Sequence, residues 1–357
     1  MGAGAAGLAL AAAAAVATSG CSNLPYYWQQ TSGHLALLRA AQPVEDWLAR
    51  DDTDAALKRR LQAAQRIRAF ASDALALPRN RSYTRYADLH RPYAVWNVVA
   101  APELSLAPKQ WCFAVTGCVS YRGFFERAGA DALAAQLRAE GWDVNVYGVP
   151  AYSTLGYLDW LGGDPLLSTF IQYPEGELAR LIFHELAHQV AYAKDDSTFN
   201  ESFATAVEEL GVERYLARYG DDAMRSDYAA FDARRRDFRA LLLKYRDMLQ
   251  ALYASAQSDD AKRARKAAVF AMLQADYARL KQDKWQGFAG YDRYFNQPLN
   301  NAHLAGIATY TAQLPLFERL FRDEGEDFAR FYARVRALAA MDRAARAQAL
   351  EKIAALK

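Results

Sequence analysis

A mainly helical α+β fold is predicted by three observations. Short runs rich in β-branched and aromatic residues are confined to residues 91–149. The apolar spacing before and after them is helical. No Pro/Gly/Ser-rich linker and no internal repeat divides the chain, so helices, a small sheet and many further helices follow in one plan.

From Tyr26 to about Leu77 the pattern is helical. Leu35, Leu37, Leu38 and Val44 precede Trp47 and Leu48, and Asp51-Asp52-Thr53-Asp54 caps a second helix, Ala55 to Leu77. Arg91 to Ala100 and Gln110 to Tyr121 read as strands, Phe125 to Gly141 as an amphipathic helix, and Asp143 to Val149 as a short alternating strand. Beyond Glu175 everything reads as helix except a Gly/Asn/Pro-rich loop from about Asp283 to Pro298. Residues 21–357 are expected to form one domain, with a helical part over 25–90, the sheet over 91–150 and helices over 175–357. Arg234-Arg235-Arg236 and Lys262-Arg263-Arg265-Lys266 have acidic neighbours and are expected on solvated helix faces.

Composition removes several function classes. With 52% hydrophobic and 24% charged residues the chain is globular rather than disordered. A formal charge of +2 gives no footprint for nucleic acid. Three cysteines are too few for a disulfide scaffold or a four-cysteine zinc module.

Met1 to Gly20 carries no charge, and its apolar run from Leu8 to Ala17 has the length of a signal-peptide core, too short for a membrane span. Thr18-Ser19-Gly20-Cys21 resembles a bacterial lipobox, although the leader lacks Lys or Arg and Thr18 stands where Leu is usual. The resemblance implies lipidation at Cys21, a membrane anchor and residence in the bacterial envelope on the periplasmic side. Ser22 in place of Asp favours the outer membrane, by analogy with other lipoproteins. In that oxidising compartment Cys112 and Cys118 can pair or remain buried thiols. On a straight strand they would lie roughly 20 Å apart, so pairing requires a turn, which Val115-Thr116-Gly117 can supply.

Histidine is scarce at five, yet His184-Glu185-Leu186-Ala187-His188 is an H-E-x-x-H string within the helical pattern Leu178 to Tyr192. Positions i and i+4 share a helix face, so both imidazoles can reach one ion, and Glu185 can take the proton of an attacking water. A catalytic zinc wants a third protein ligand and one open position. Glu201, thirteen positions after His188, is a candidate if the chain turns back over Lys194 to Ser197. Glu208 lies two turns further along the same face and is a second candidate. Glu201 also completes a capping box with Thr198. His34 and His90 have no metal spacing.

HELAHQ followed by NESFATAVEELG resembles the gluzincin aminopeptidases, whose zinc helix precedes an N-E-G-F-A-type segment bearing the third ligand. That resemblance implies Glu201 as the ligand and Glu208 as the outer-shell support of a histidine. The departures are Ser202 where glycine is common, a shorter interval between His188 and Glu201, and no G-A-M-E-N-like segment. YYWQQTSGHLALLRAAQPV, CFAVTGCVSYRGFF, GVPAYSTLGYLDW, LIFHELAHQ and NNAHLAGIATY extend the likeness over nearly all of the chain after Cys21. They resemble a family of bacterial lipoproteins described as aminopeptidases of the zincin clan. The implied fold is a small mixed sheet, a zinc-binding helix and a largely helical C-terminal half, and the implied partner is a peptide substrate.

Asp143 to Val149, with Pro150-Ala151-Tyr152-Ser153-Thr154, stands where zincins place a peptide-binding edge strand, or is an ordinary strand and loop. Tyr291, Tyr294, His303 and Tyr310 are candidates for stabilising an oxyanion, against a packing role for each. Two function classes are expected to compete: a zinc-dependent peptidase, exo- or endo-acting, and a non-catalytic lipoprotein stapled by zinc. A structural site has no use for Glu185 and normally fills its fourth position with protein, which favours the enzyme.

Overall fold

Helix dominates the structure, and the strands gather into small mixed sheets. The computed structural model describes residues 24–113, 117–151, 162–307 and 312–355. Helices α1 (Leu24–Ala40), α2 (Val44–Ala49) and α3 (Ala55–Asp73) come first. Asp54 starts α3, its carboxylate accepting from the amides of Ala56 and Leu57 at 2.8 and 3.0 Å, donors that a first helical turn leaves open. The helix stops at Asp73, short of the expected Leu77, and Ala76 turns with a positive φ of 51°.

The main sheet has β3 (Val95–Pro102) between β6 (Arg122–Phe124) and β7 (Trp142–Val149), antiparallel to both. Helix α4 (Arg127–Ala139) lays Ala130, Ala134 and Leu137 against Val98, Ala100 and Val144 of this sheet. β7 is an edge strand, because the sheet order is β6, β3, β7. A second sheet joins β1 (Gln42–Pro43), β2 (Arg85–Ala87) and β8 (Leu166–Leu167), the last pair running parallel.

One expected strand is broken. Gln110 to Tyr121 folds as a hairpin, β4 (Trp111–Phe113) and β5 (Gly117–Val119), rather than as one continuous run. Gly117 has φ +75°, a conformation that costs a residue with a side chain but not glycine. Cys112 and Cys118 fall opposite each other and are joined by a disulfide, with Cα atoms 3.9 Å apart. Val115 and Thr116 of the expected turn lie outside the described residues.

The remaining helices are α5 (Glu175–His188), α6 (Ser197–Tyr219), α7 (Asp222–Ala254), α8 (Asp259–Asp283), α9 (Asp292–Phe295), α10 (Asn301–Leu304), α11 (Leu314–Asp323), α12 (Phe328–Ala339) and α13 (Arg343–Ala355). The short α9 interrupts the loop expected over Asp283 to Pro298. The largest core runs from α3 through α5 and α6 to α11 and α12. Ile67, Phe70, Phe183, Leu186, Phe203, Phe317 and Phe331 all sit in it. The two basic clusters keep Arg236, Arg263 and Arg265 exposed, as expected, but each also has a largely covered member. Arg235 pairs with Glu177 at 2.6 Å with only 11% of its side chain exposed, and Lys266 binds Asp143 at 2.6 Å, tying α8 to β7. No helix among the described residues is long and apolar enough to cross a membrane.

Candidate metal centre

Helix α5 buries Leu178, Ile182, Phe183 and Leu186 completely, each contributing about 1.5–3 kcal/mol by leaving water. That face fixes the helix's rotation, and the opposite spacing turns Arg180, His184 and His188 towards α6. The helix ends at His188 rather than Tyr192. Its continuation folds back because the Asn200 amide accepts from the Ala193 amide at 2.7 Å and donates to the Ala193 carbonyl at 2.8 Å. Asp196, not Thr198, caps α6, its carboxylate accepting from the Phe199 amide at 3.1 Å. Glu201 is therefore not engaged in a capping box.

The two helices run antiparallel here. His188 lies near Glu201, His184 lies between Glu201 and Glu208, and Arg180 lies near Glu208, so a step back along α5 is a step forward along α6. Gly211 permits this approach: a Cβ there would come within 2.8 Å of Leu75 and 2.9 Å of Phe183.

Three donor atoms converge. His184 Nε2 is 3.2 Å from His188 Nε2 and 3.3 Å from Glu201 Oε2, and His188 Nε2 is 3.7 Å from the same oxygen. A tetrahedral ion with ligands about 2.0–2.1 Å away spaces them by about 3.3 Å, so this triangle fits one face of such a site. The group can hold a metal ion. Burial holds His188 down to about 4, against the pull of Glu201, which leaves its ring neutral and its lone pair free to bind. His184 goes the other way. Burial lowers it, but Glu208 and Glu201 together outweigh burial and raise it to about 10. Its Nδ1 is 2.8 Å from Glu208 Oε2, and Glu208 is only 1% exposed.

Glu185 stands beside the triad and is not one of its donors. Burial pushes its carboxyl up to about 7; His184 opposes this, and the negative charges of Glu201, Asp164 and Glu208 add to it. A base poised there can take a proton near neutral pH and give it back.

Two tyrosines on the sheet side were not singled out by the sequence. Tyr121 and Tyr147 keep 41% and 37% of their surface exposed, so they line a rim rather than fill a core. Desolvation raises the Tyr121 phenol, and the charges of Glu201, Tyr147, Tyr192 and Glu185 add to the rise. Tyr147 is raised by desolvation and by Glu201, and hydrogen-bonds the Asn97 side chain. The hairpin carrying Cys118 docks on the α5–α6 turn, where Asp195 accepts from the Cys118 amide at 2.6 Å.

The downstream candidates go elsewhere. Tyr291 stacks on Phe238 at 4.2 Å, and Tyr294 donates to the His303 carbonyl at 2.9 Å. His303 closes a capping box with Asn300. Tyr310 and Cys21 lie outside the described residues, as do Tyr152, Ser153 and Thr154.

The family model described as "Putative aminopeptidase" matches residues 25–350. The chain belongs to that family. No curated protein and no solved structure matches it.

Proposed function

We propose that this family member is a zinc-dependent peptidase of the gluzincin-like zincin clan, with His184, His188 and Glu201 as its metal ligands. The convergence of those three donors beside an unligated, proton-poised Glu185 carries the reading. A two-histidine, one-glutamate set with an open fourth position is the donor set of catalytic zinc in peptidases, where the ion polarises the scissile carbonyl and acidifies water. Glu185 accepts the proton of the attacking water and passes it to the leaving amine. Glu208 would accept the Nδ1 hydrogen of His184, leaving Nε2 to hold the ion. The edge of β7 offers main-chain groups for an extended peptide, and Tyr147 on that strand brings its hydroxyl towards Glu201. Turnover of a fluorogenic peptide library by the zinc-loaded protein tests the reading. Bound zinc without any turnover would instead favour a structural staple.

The oxyanion is assigned to Tyr121, a half-exposed phenol that feels the charges of both Glu201 and Glu185. Tyr121→Phe should lower kcat by ~10²-fold with little change in KM, as loss of an oxyanion donor does. An unchanged kcat removes Tyr121 from the chemistry.

The envelope anchor is proposed at Cys21, which the lipobox-like Thr18-Ser19-Gly20 precedes. Several acyl chains give stable anchoring, since each buried CH₂ contributes about 0.8 kcal/mol. Cys21→Ala should abolish incorporation of a palmitate analogue and release the protein from membranes, while a chain starting at Ser22 still binds zinc. Label retained in Cys21→Ala would show that this cysteine is incidental.

A further inference from the structure

We infer that Arg180 is a positioning residue for the metal centre, holding the Glu208 carboxylate in the orientation that leaves His184 free to bind the ion through Nε2. The inference rests on the zinc-peptidase reading above. Arg180 precedes His184 by one helical turn on the same face of α5. Glu208 reaches between them from α6 and divides its oxygens. Oε1 lies 2.9 Å from the Arg180 guanidinium, and Oε2 lies 2.8 Å from His184 Nδ1.

The terminal torsion of a glutamate is broad, so a single contact does not fix the plane of its carboxylate. Here a buried ion pair at Oε1, which is not a hydrogen bond, and the His184 contact at Oε2 hold it from both sides. With Arg180 in place water does not reach the Glu208 side chain, which is only 1% exposed. Nor does the neighbouring acid on α5 compete strongly for the guanidinium: Glu177 is bound by Arg235 of α7 at 2.6 Å. The orientation of a histidine ligand depends on the acceptor its other nitrogen finds. A swung carboxylate would release the His184 ring to turn about its χ2 torsion, and Nε2 would leave the triangle it forms with His188 and Glu201. Arg180 thus acts on the ion through two other side chains and is not among the three converging donors.

Metal-free wild type, Arg180→Met and Arg180→Lys are titrated with Zn²⁺ against a chelating indicator, and the Tm of each metal-free protein is recorded. Arg180→Met should bind zinc roughly tenfold more weakly, at the lower end of what outer-shell changes cost, and Arg180→Lys should recover to within about threefold. On a Glu208→Ala background, Arg180→Met should have no further effect on affinity, because no carboxylate remains to be held. Equal zinc affinity in wild type and Arg180→Met, with only Tm lowered, would make this a structural ion pair and overturn the inference. A wild type that binds no zinc overturns both this inference and the reading beneath it, and is told apart from failure of the positioning role alone by that first titration.

Discussion

Glu185→Gln should keep its zinc and lose peptide turnover by at least ~10²–10⁴-fold, the contribution of a positioned general base. The variant removes only the capacity to take a proton. Glutamine matches glutamate in shape, and the side chain is not among the three converging donors, so the ion should stay. The carboxyl is set for its task by its surroundings, since burial raises it to about 7 against the opposing pull of His184. Metal analysis beside kcat measures both halves of this result. Wild-type turnover in the variant would remove Glu185 from the mechanism, and loss of zinc would show it to be a ligand.

Glu201→Ala should lose zinc, whereas Glu208→Ala should weaken binding only about 10–100-fold, as outer-shell changes do. The distances decide the order. Glu201 Oε2 faces the Nε2 atoms of both histidines at 3.3 and 3.7 Å, while Glu208 meets only the far nitrogen of His184. Removing Glu208 leaves Arg180 without its partner, so the metal-free protein should also lose stability, as the breaking of buried ion pairs does. Chelator competition on both variants gives the ranking, and the reverse ranking would mean that ligand and support have been exchanged.

The parts of this architecture that were legible in the sequence are the parts encoded locally. Asp54 announces a helix because a capping side chain acts within three residues. The H-E-x-x-H string places two imidazoles on one face because helical period alone does so. The third ligand was harder. Spacing left Glu201, Glu208 and a capping role open; in the structure Asp196 takes the cap, Asn200 folds the intervening turn, and Glu201 joins the two histidines in a group that could hold an ion.

What was missed comes from long-range packing. The run Gln110 to Tyr121 reads as a strand, and the turn that a Cys112–Cys118 bridge would require stayed one of two alternatives until the hairpin decided it. Gln189 to Ala193 continues a helical pattern, yet the side chain of Asn200 ends it. Tyr121 and Tyr147, whose phenols feel the charge of Glu201, come from beyond the hairpin and from the sheet, so no periodicity near His184 could reveal them. The downstream tyrosines were favoured by chain order alone, and the aromatic core around Phe238 holds two of them instead.

The most direct test of the central claim is mass spectrometry of a peptide mixture incubated with chelator-treated protein, with and without restored Zn²⁺. Cleavage is expected only after zinc is returned, and the family's description predicts ladders that lose one N-terminal residue at a time. Internal cuts that still require zinc would keep the peptidase and make it an endopeptidase. Cleavage that is indifferent to the chelator, or none in either arm, would contradict the account.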